Sequence, residues 1–251
     1  MGKVLENKII LGNCIEIMKF IDNDCVDCVF TSPPYNRKRN DTYQKFDDIN
    51  NDYLALLTTV TSESLRIAKN NVIINVQSNM YNKKDLMLWQ VKFVDYYKGC
   101  VIWVKRNPTP SWNYDKGKDV YSITNAYECF YVFGKGDTKF DANNKIFNVL
   151  ISNVNDTHFP GHGAVMRLDI AEWFICNFTK KGDLIFDPFF GCGTTGVACV
   201  KNERKYGGVE LIEDYKNIAE SRLSELTLQG SLFENEEIKA EFNPYKQFSF
   251  F

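Results

Sequence analysis

Two short segments hold residue types at spacings that can do chemistry. The first is Thr31-Ser32-Pro33-Pro34-Tyr35-Asn36, which follows the apolar run Val26 to Phe30. Two consecutive prolines remove two N–H donors and stiffen the backbone. What remains is a rigid edge of outward carbonyls, one hydroxyl and one aromatic ring. Such an edge suits an amino group on a flat ring. The Ser32 hydroxyl and the Pro33 carbonyl can accept the two amine hydrogens, and Tyr35 can stack on the ring face. The plainer alternative is a strand stop, with Tyr35 as packing.

The second segment is Asp187-Pro188-Phe189-Phe190-Gly191-Cys192-Gly193-Thr194-Thr195-Gly196. It reads as a strand end, a Gly-rich turn and a helix start. Glycines allow positive φ and close backbone approach. A helix N-terminus offers free N–H groups and partial positive charge to an anionic ligand end. Further on, Glu210 ends the next strand, where a carboxylate can accept bonds from two ribose hydroxyls. Gly191, Gly193 and Gly196 match the spacing of a dinucleotide fingerprint. The chemistry is that of a nucleotide or nucleoside cofactor; the alternative is a turn that only lets helix and strand pack.

These segments need a scaffold, and the pattern supplies one. Strand-like runs occur at Ile9–Leu11, Val26–Phe30, Asn71–Val76, Cys100–Val104, Tyr127–Phe133, Asp183–Phe186 and Tyr206–Val209. Helical spacing joins Leu54, Leu57, Thr61, Leu65 and Ala68, then residues 85–91, then Ala164 to Phe178, then a helix starting near Thr194, then Tyr215 to Leu226. Strands alternating with helical crossovers predict an α/β fold with a doubly wound, mostly parallel sheet. Residues 137–160 are polar and Asn-rich and read as a loop. Residues 229–251 form an acidic, then aromatic, tail beyond a domain spanning 1–228.

Composition narrows the class. The chain has 251 residues, 44% hydrophobic and 25% charged, which excludes disorder, collagen and coiled coil. Apolar runs reach about five residues, far short of the ~20 of a membrane helix. Met1 to Asn7 has no apolar core, so the expectation is no secretory signal and a cytoplasmic location. The net charge of −2 argues against a general nucleic-acid coat, but it is polarised. Residues 83–118 are net basic and carry Trp103, Trp112 and Tyr114, with Tyr121 just beyond; cations among aromatics suit base stacking. Residues 203–241 are net acidic. The eight cysteines read as reduced thiols. Cys25, Cys28, His158 and His162 can be drawn as a zinc site, but no second Cys-x-x-Cys accompanies the first, and the expectation is no metal.

Together the two segments resemble motifs of the amino-directed DNA methyltransferases that use S-adenosylmethionine, the N4-cytosine and N6-adenine enzymes. Thr31 to Asn36 is similar to their (S/D/N)-P-P-(Y/F/W) catalytic motif, and Phe189-x-Gly191-x-Gly193 to their F-x-G-x-G cofactor loop. The catalytic motif comes first, as in the permuted β group. Leu11-Gly12-Asn13-Cys14 resembles an N-terminal G-D-C/S element, with Asn13 in place of the usual Asp. Ile102 to Pro108 and Asn125 to Gly136 resemble the W-x-K-x-N-P and E-x-x-x-x-F-x-K-G strands, and His158-Phe159-Pro160 the last cofactor element. His162 and Arg167 depart from that element's more apolar pattern.

The resemblance implies a Rossmann-like methyltransferase fold and a flipped target base. It implies catalysis by Ser32, Pro33, Pro34 and Tyr35. It implies S-adenosylmethionine binding by Asn13, Thr31, Asp187, Phe189, Gly191, Gly193, Thr194 and Glu210. Amine hydrogen bonds to Ser32 and Pro33 would localise the nitrogen lone pair, and positioning would do the rest. No cysteine nucleophile is needed. Arg37, Lys38, Arg39, Lys105 and Arg106 are candidates for contacts to double-stranded DNA, and loops 36–51, 106–125 and 137–160 for reading its sequence. Ser32 favours N4 of cytosine, with N6 of adenine as the alternative. A homodimer and a cognate restriction enzyme are the expected partners. A nicotinamide oxidoreductase would use the glycine loop but leave Ser32 to Tyr35 unexplained. A non-catalytic relic of the fold would not keep both motifs. RNA or protein methylation would use the same edge.

Overall fold

The computed structural model describes residues 5–37, 50–108, 125–136, 145–153 and 165–233. Eight strands form one sheet in the order β1-β8-β7-β2-β3-β5-β4-β6. They are β1 (Lys8–Leu11), β2 (Val26–Thr31), β3 (Ala68–Val76), β4 (Tyr97–Lys105), β5 (Tyr127–Gly134), β6 (Val149–Ser152), β7 (Leu184–Asp187) and β8 (Lys205–Glu210). All pairings are parallel except the two made by β5. The mostly parallel sheet expected from the sequence is therefore present, with one antiparallel strand inside it.

Side chains of a strand alternate between faces, and here each face is covered by its own helices. Val26 and Val29 point into a core with helices α1 (Cys14–Met18), α2 (Tyr53–Ile67) and α3 (Lys83–Lys92). Cys28 and Phe30 point the other way, into a core with α4 (Leu168–Phe178) and α5 (Thr194–Lys201). Phe30, Phe130 and Phe174 stack at its centre, the last two with centroids 4.2 Å apart. The last helix, α6 (Glu213–Phe233), packs Ala219 and Leu223 against Phe190 and Val197.

Local chemistry sets the ends of these helices. Asp52 caps α2 by accepting from the Ala55 amide at 3.1 Å, and Asn13 caps α1 by accepting from Ile15 at 2.9 Å. A one-turn helix like α1 is too short to show a period, so only its cap marks it in the sequence. The reading of 137–160 as a loop is corrected by β6. Its run Val149-Leu150-Ile151 is short among asparagines, but it pairs with the edge of β4 and buries Leu150. The helix α6 continues past position 228 to Phe233. Among the described residues no helix is long and apolar enough to cross a membrane.

Candidate active site

The carboxyl ends of β2 and β7 lie side by side where the strand order reverses. Ligands in open α/β sheets bind outside such ends. A cavity of about 470 Å³ opens there, within the ~300–1,000 Å³ usual for small-molecule sites. Ser32, Pro34 and Tyr35 line one side; Asp187 to Cys192, Thr194, Thr195 and Glu210 line the other. The two segments, far apart in sequence, share one chamber.

One buried hydrogen bond ties them. Thr31 Oγ1 donates to Asp187 Oδ1 at 2.7 Å, and Thr195 Oγ1 donates to Asp187 Oδ2 at 2.6 Å. The Phe189 amide donates to Oδ1 at 3.0 Å, so Asp187 fixes the start of the glycine turn. Thr31 itself is fully buried and does not line the cavity; it holds Asp187. Burial pushes the Asp187 carboxyl up from 3.8 to about 6, against the pull of its hydroxyl and amide donors. The folded chain thus binds this proton more tightly than the unfolded one. Its contribution to stability is full below about pH 4 and is lost as pH rises through about 6. Two pKa units amount to about 3 kcal/mol. Asp187→Asn should flatten the fall in unfolding free energy between pH 4 and 6, read by urea titration at fixed pH. An unaltered slope would assign that fall to other groups.

The turn between β7 and α5 is built around Phe190. Gly191 and Gly193 have φ of +53° and +81°, a region that favours glycine. Gly193 is buttressed rather than exposed to ligand: a Cβ there would lie 2.8 Å from Ala219 Cβ, and Gly193 does not line the cavity. Gly191 does. Its amide donates to Glu210 Oε2 at 2.7 Å, while the Ile212 amide donates to Oε1 at 2.8 Å. Burial raises the Glu210 carboxyl, and these amides oppose the rise. Each oxygen keeps acceptor capacity toward the cavity. Asn13 and Phe189 also line it, though Asn13 Oδ1 already caps α1. Cys14 and Cys192 line it too, and burial pushes each thiol up to about 12, so neither is a thiolate near neutral pH.

The opposite wall holds a polar network that sequence reasoning did not find. Ser32 Oγ lies 3.0 Å from Tyr35 Oη and donates to Asn75 Oδ1 at 3.1 Å. Tyr35 Oη also reaches Asn75 Oδ1, and it lies 3.1 Å from Glu128 Oε2. Lys105 Nζ donates to Glu128 Oε1 at 2.5 Å and sits 5.2 Å from the centre of the Trp103 ring. The Tyr35 carbonyl accepts from Asn79 at 2.8 Å and Asn82 at 2.7 Å, which fixes the loop independently of the ring. Asn75 sits in the apolar run of β3 and Glu128 in that of β5. For Asn75 a single polar residue in a buried strand was the available signal; Glu128 was also the first residue of the E-x-x-x-x-F-x-K-G resemblance.

Several expected residues fall elsewhere. Pro33 is buried and does not line the cavity. Lys105 is inside the cavity, paired with Glu128, rather than on an outer face. Trp103 is buried, its indole N–H donating to Ser152 at 2.8 Å, so it is not a surface stacking platform. Arg37 lines the cavity, lies 5.2 Å from the centre of the Tyr35 ring and donates to Gln77 at 2.7 Å. Arg106 is exposed beyond the end of β4. Lys38, Arg39, Trp112, Tyr114, Tyr121, His158 and His162 lie outside the described residues, as do 109–124, 137–144, 154–164 and most of the 229–251 tail. Among the described residues no group of three His, Cys, Asp or Glu side chains could hold a metal ion.

Comparison with known proteins places this geometry. The type II methyltransferase M.SmaI of Serratia marcescens is 27% identical over 272 aligned residues, covering 86% of this chain and 90% of its own. The type II methyltransferase M.HinfI of Haemophilus influenzae is 26% identical, covering 88% of this chain and 69% of its own. The solved PvuII DNA methyltransferase, titled cytosine-N4-specific, superposes with a TM-score of 0.71 at 16% identity, covering 88% of this chain and 90% of that one. A complex of M1.HpyAVI with S-adenosylmethionine gives 0.58 at 21% identity, covering 86% and 98%. A family model described as DNA methylase matches residues 26–221, a span running from β2 into the first half of α6 and holding both cavity walls. The chain therefore belongs to the N6/N4 DNA methylase family.

Proposed function

We propose that this protein transfers a methyl group from S-adenosylmethionine to N4 of cytosine in double-stranded DNA, on a base flipped out of the duplex. One observation carries the reading: the glycine turn with Glu210 and the Ser32–Tyr35 edge face each other across a single cavity. The cofactor fits the residues present. Glu210 retains acceptor capacity for ribose hydroxyls, Phe189 and Ile15 offer apolar surface to an adenine ring, and the Gly191 turn lets backbone approach. When bound, S-adenosylmethionine supplies an electrophilic methyl group.

The protein side of the reaction follows from hydrogen-bond directions. With its hydrogen shared between Asn75 Oδ1 and Tyr35 Oη, Ser32 Oγ turns only lone pairs toward the cavity. It then accepts from the target amine and draws that nitrogen's lone pair out of the ring. Tyr35 supplies a ring to stack on the base, and Arg37 backs it. Unstacking a base costs a few kcal/mol, which stacking on Tyr35 offsets in part. Ser32 and the cytosine-N4-specific fold neighbour both favour cytosine over adenine. The relatives' type II names support a cognate restriction enzyme acting at the same site, and we place the protein in the cytoplasm as a homodimer.

The test uses purified protein, labelled S-adenosylmethionine and mixed-sequence duplex DNA, digested to nucleosides and resolved by mass spectrometry. N4-methylcytosine is the expected product. N6-methyladenine would overturn the base assignment and keep the mechanism. Label in neither, on DNA containing all short sites, would overturn the reading.

A further inference from the structure

We propose that Tyr35 and Glu128 form a proton exit path for the reaction, running from the target amine through Ser32 and Tyr35 to the Glu128 carboxylate. The inference rests on the amine-methylation reading and deepens it. Methyl transfer forms a carbon–nitrogen bond with the amine's lone pair and breaks the donor's carbon–sulfur bond, whose electrons stay on sulfur. The nitrogen now carries the positive charge and one proton too many. That proton must leave, and in the proposed pose the amine is hydrogen-bonded to Ser32 Oγ.

The distances define a route. Ser32 Oγ and Tyr35 Oη are 3.0 Å apart, and Tyr35 Oη and Glu128 Oε2 are 3.1 Å apart. Both gaps are within hydrogen-bonding range. Ser32 and Tyr35 own one transferable hydrogen each, and each can accept one while passing on another. The amine proton goes to Ser32 Oγ, the Ser32 proton to Tyr35 Oη, and the Tyr35 proton to Glu128 Oε2. The base ends as a neutral methylamine, both hydroxyls are restored, and Glu128 holds the proton until it exchanges with water. No other reactant is required.

Two neighbours make Glu128 the terminus. Asn75 Oδ1 also contacts both hydroxyls, but an amide oxygen holds a hydrogen bond without the basicity of a carboxylate. It orients the two oxygens and ends no transfer. Lys105 donates to the other carboxylate oxygen of Glu128 at 2.5 Å, which leaves Oε2 for Tyr35. Glu128 and Asn75 are both buried, and their strands β5 and β3 are directly paired, Asn75 opposite Phe130. The terminus and the amide that orients the path are therefore carried on the sheet, and Ser32 and Tyr35 lie on the loop that follows β2.

Tyr35→Phe keeps the ring and removes one oxygen; Glu128→Gln keeps the shape and removes the base. Each should slow single-turnover methylation at saturating DNA and S-adenosylmethionine by on the order of a hundredfold, the usual size of a lost proton-transfer partner. Dissociation constants for S-adenosylhomocysteine and for the DNA, read by calorimetry and fluorescence anisotropy, should stay within about twofold. The double variant should be no slower than the slower single one, because one path is cut twice. Tyr35→Phe methylating at the wild-type rate would overturn the path, whatever Glu128→Gln does to folding. So would losses that multiply in the double variant, which would show two independent roles. If the wild-type protein itself methylated no base, the amine-methylation reading would fall, and the path with it.

Discussion

Tyr35→Ala should reduce methyl transfer by on the order of a thousandfold or more while leaving cofactor binding within about twofold. The effect has two separable parts. Loss of a base-stacking ring costs ~1–3 kcal/mol, and loss of a proton-transfer partner costs on the order of a hundredfold in rate. Cofactor binding survives because the Tyr35 backbone is held by its carbonyl, through Asn79 at 2.8 Å and Asn82 at 2.7 Å. Those bonds do not involve the side chain. Calorimetric titration with S-adenosylmethionine, beside a methylation assay on the same preparation, reads both quantities. Equal loss of binding and transfer would move the target pocket away from Tyr35.

Gly208→Ala should be the most damaging one-carbon change near the site. The added Cβ would lie 2.0 Å from Phe190 Cδ2, with two more ring carbons at 2.7 Å. The ring cannot step aside, since Gly193 and Gly196 also leave their space to it, with a Gly196 Cβ falling 2.7 Å from Phe190 Cζ. Overpacking of this kind costs ~1–3 kcal/mol and more where neighbours are rigid. Because Phe190 is the pivot of the cofactor turn, the shift should also weaken S-adenosylmethionine binding. Thermal melting and calorimetry test the two claims. In a Phe190→Leu background the same substitution should cost markedly less, because the clashing atoms are gone. A penalty undiminished there would place the strain elsewhere.

Much of the architecture was legible in the sequence because its signals are local. Pro33-Pro34 after an apolar run, and glycines before Thr194, mark strand ends and a helix start without reference to the rest of the chain. What was not legible depends on long-range pairing. The strand β6 exists because the edge of β4 offers it hydrogen bonds, and nothing in Asn143 to Asn153 announces that partner. Asn75 looks like an ordinary interruption of a buried strand, and Glu128 carries a motif resemblance with no role attached, until β3 and β5 pair and bring both within reach of Tyr35. Lys105 reads as a surface cation because lysine usually is one. It is the carboxylate of Glu128 that brings it inside.

The strand order has a consequence for how the protein is made. β1 and β2 are synthesised first, yet β8 and β7, synthesised last, stand between them. A chain still emerging from the ribosome before Lys205 has no neighbour for β1, and one ending before Leu184 lacks Asp187, the partner of Thr31. Contacts that span most of the chain close slowly, because loop entropy must be overcome before they reward it. The methyl-transfer chamber therefore cannot assemble piecemeal during translation. Fragments that stop short of the final strands keep the Ser32–Tyr35 edge but have no cofactor wall opposite it, so premature termination leaves no partially active methylase.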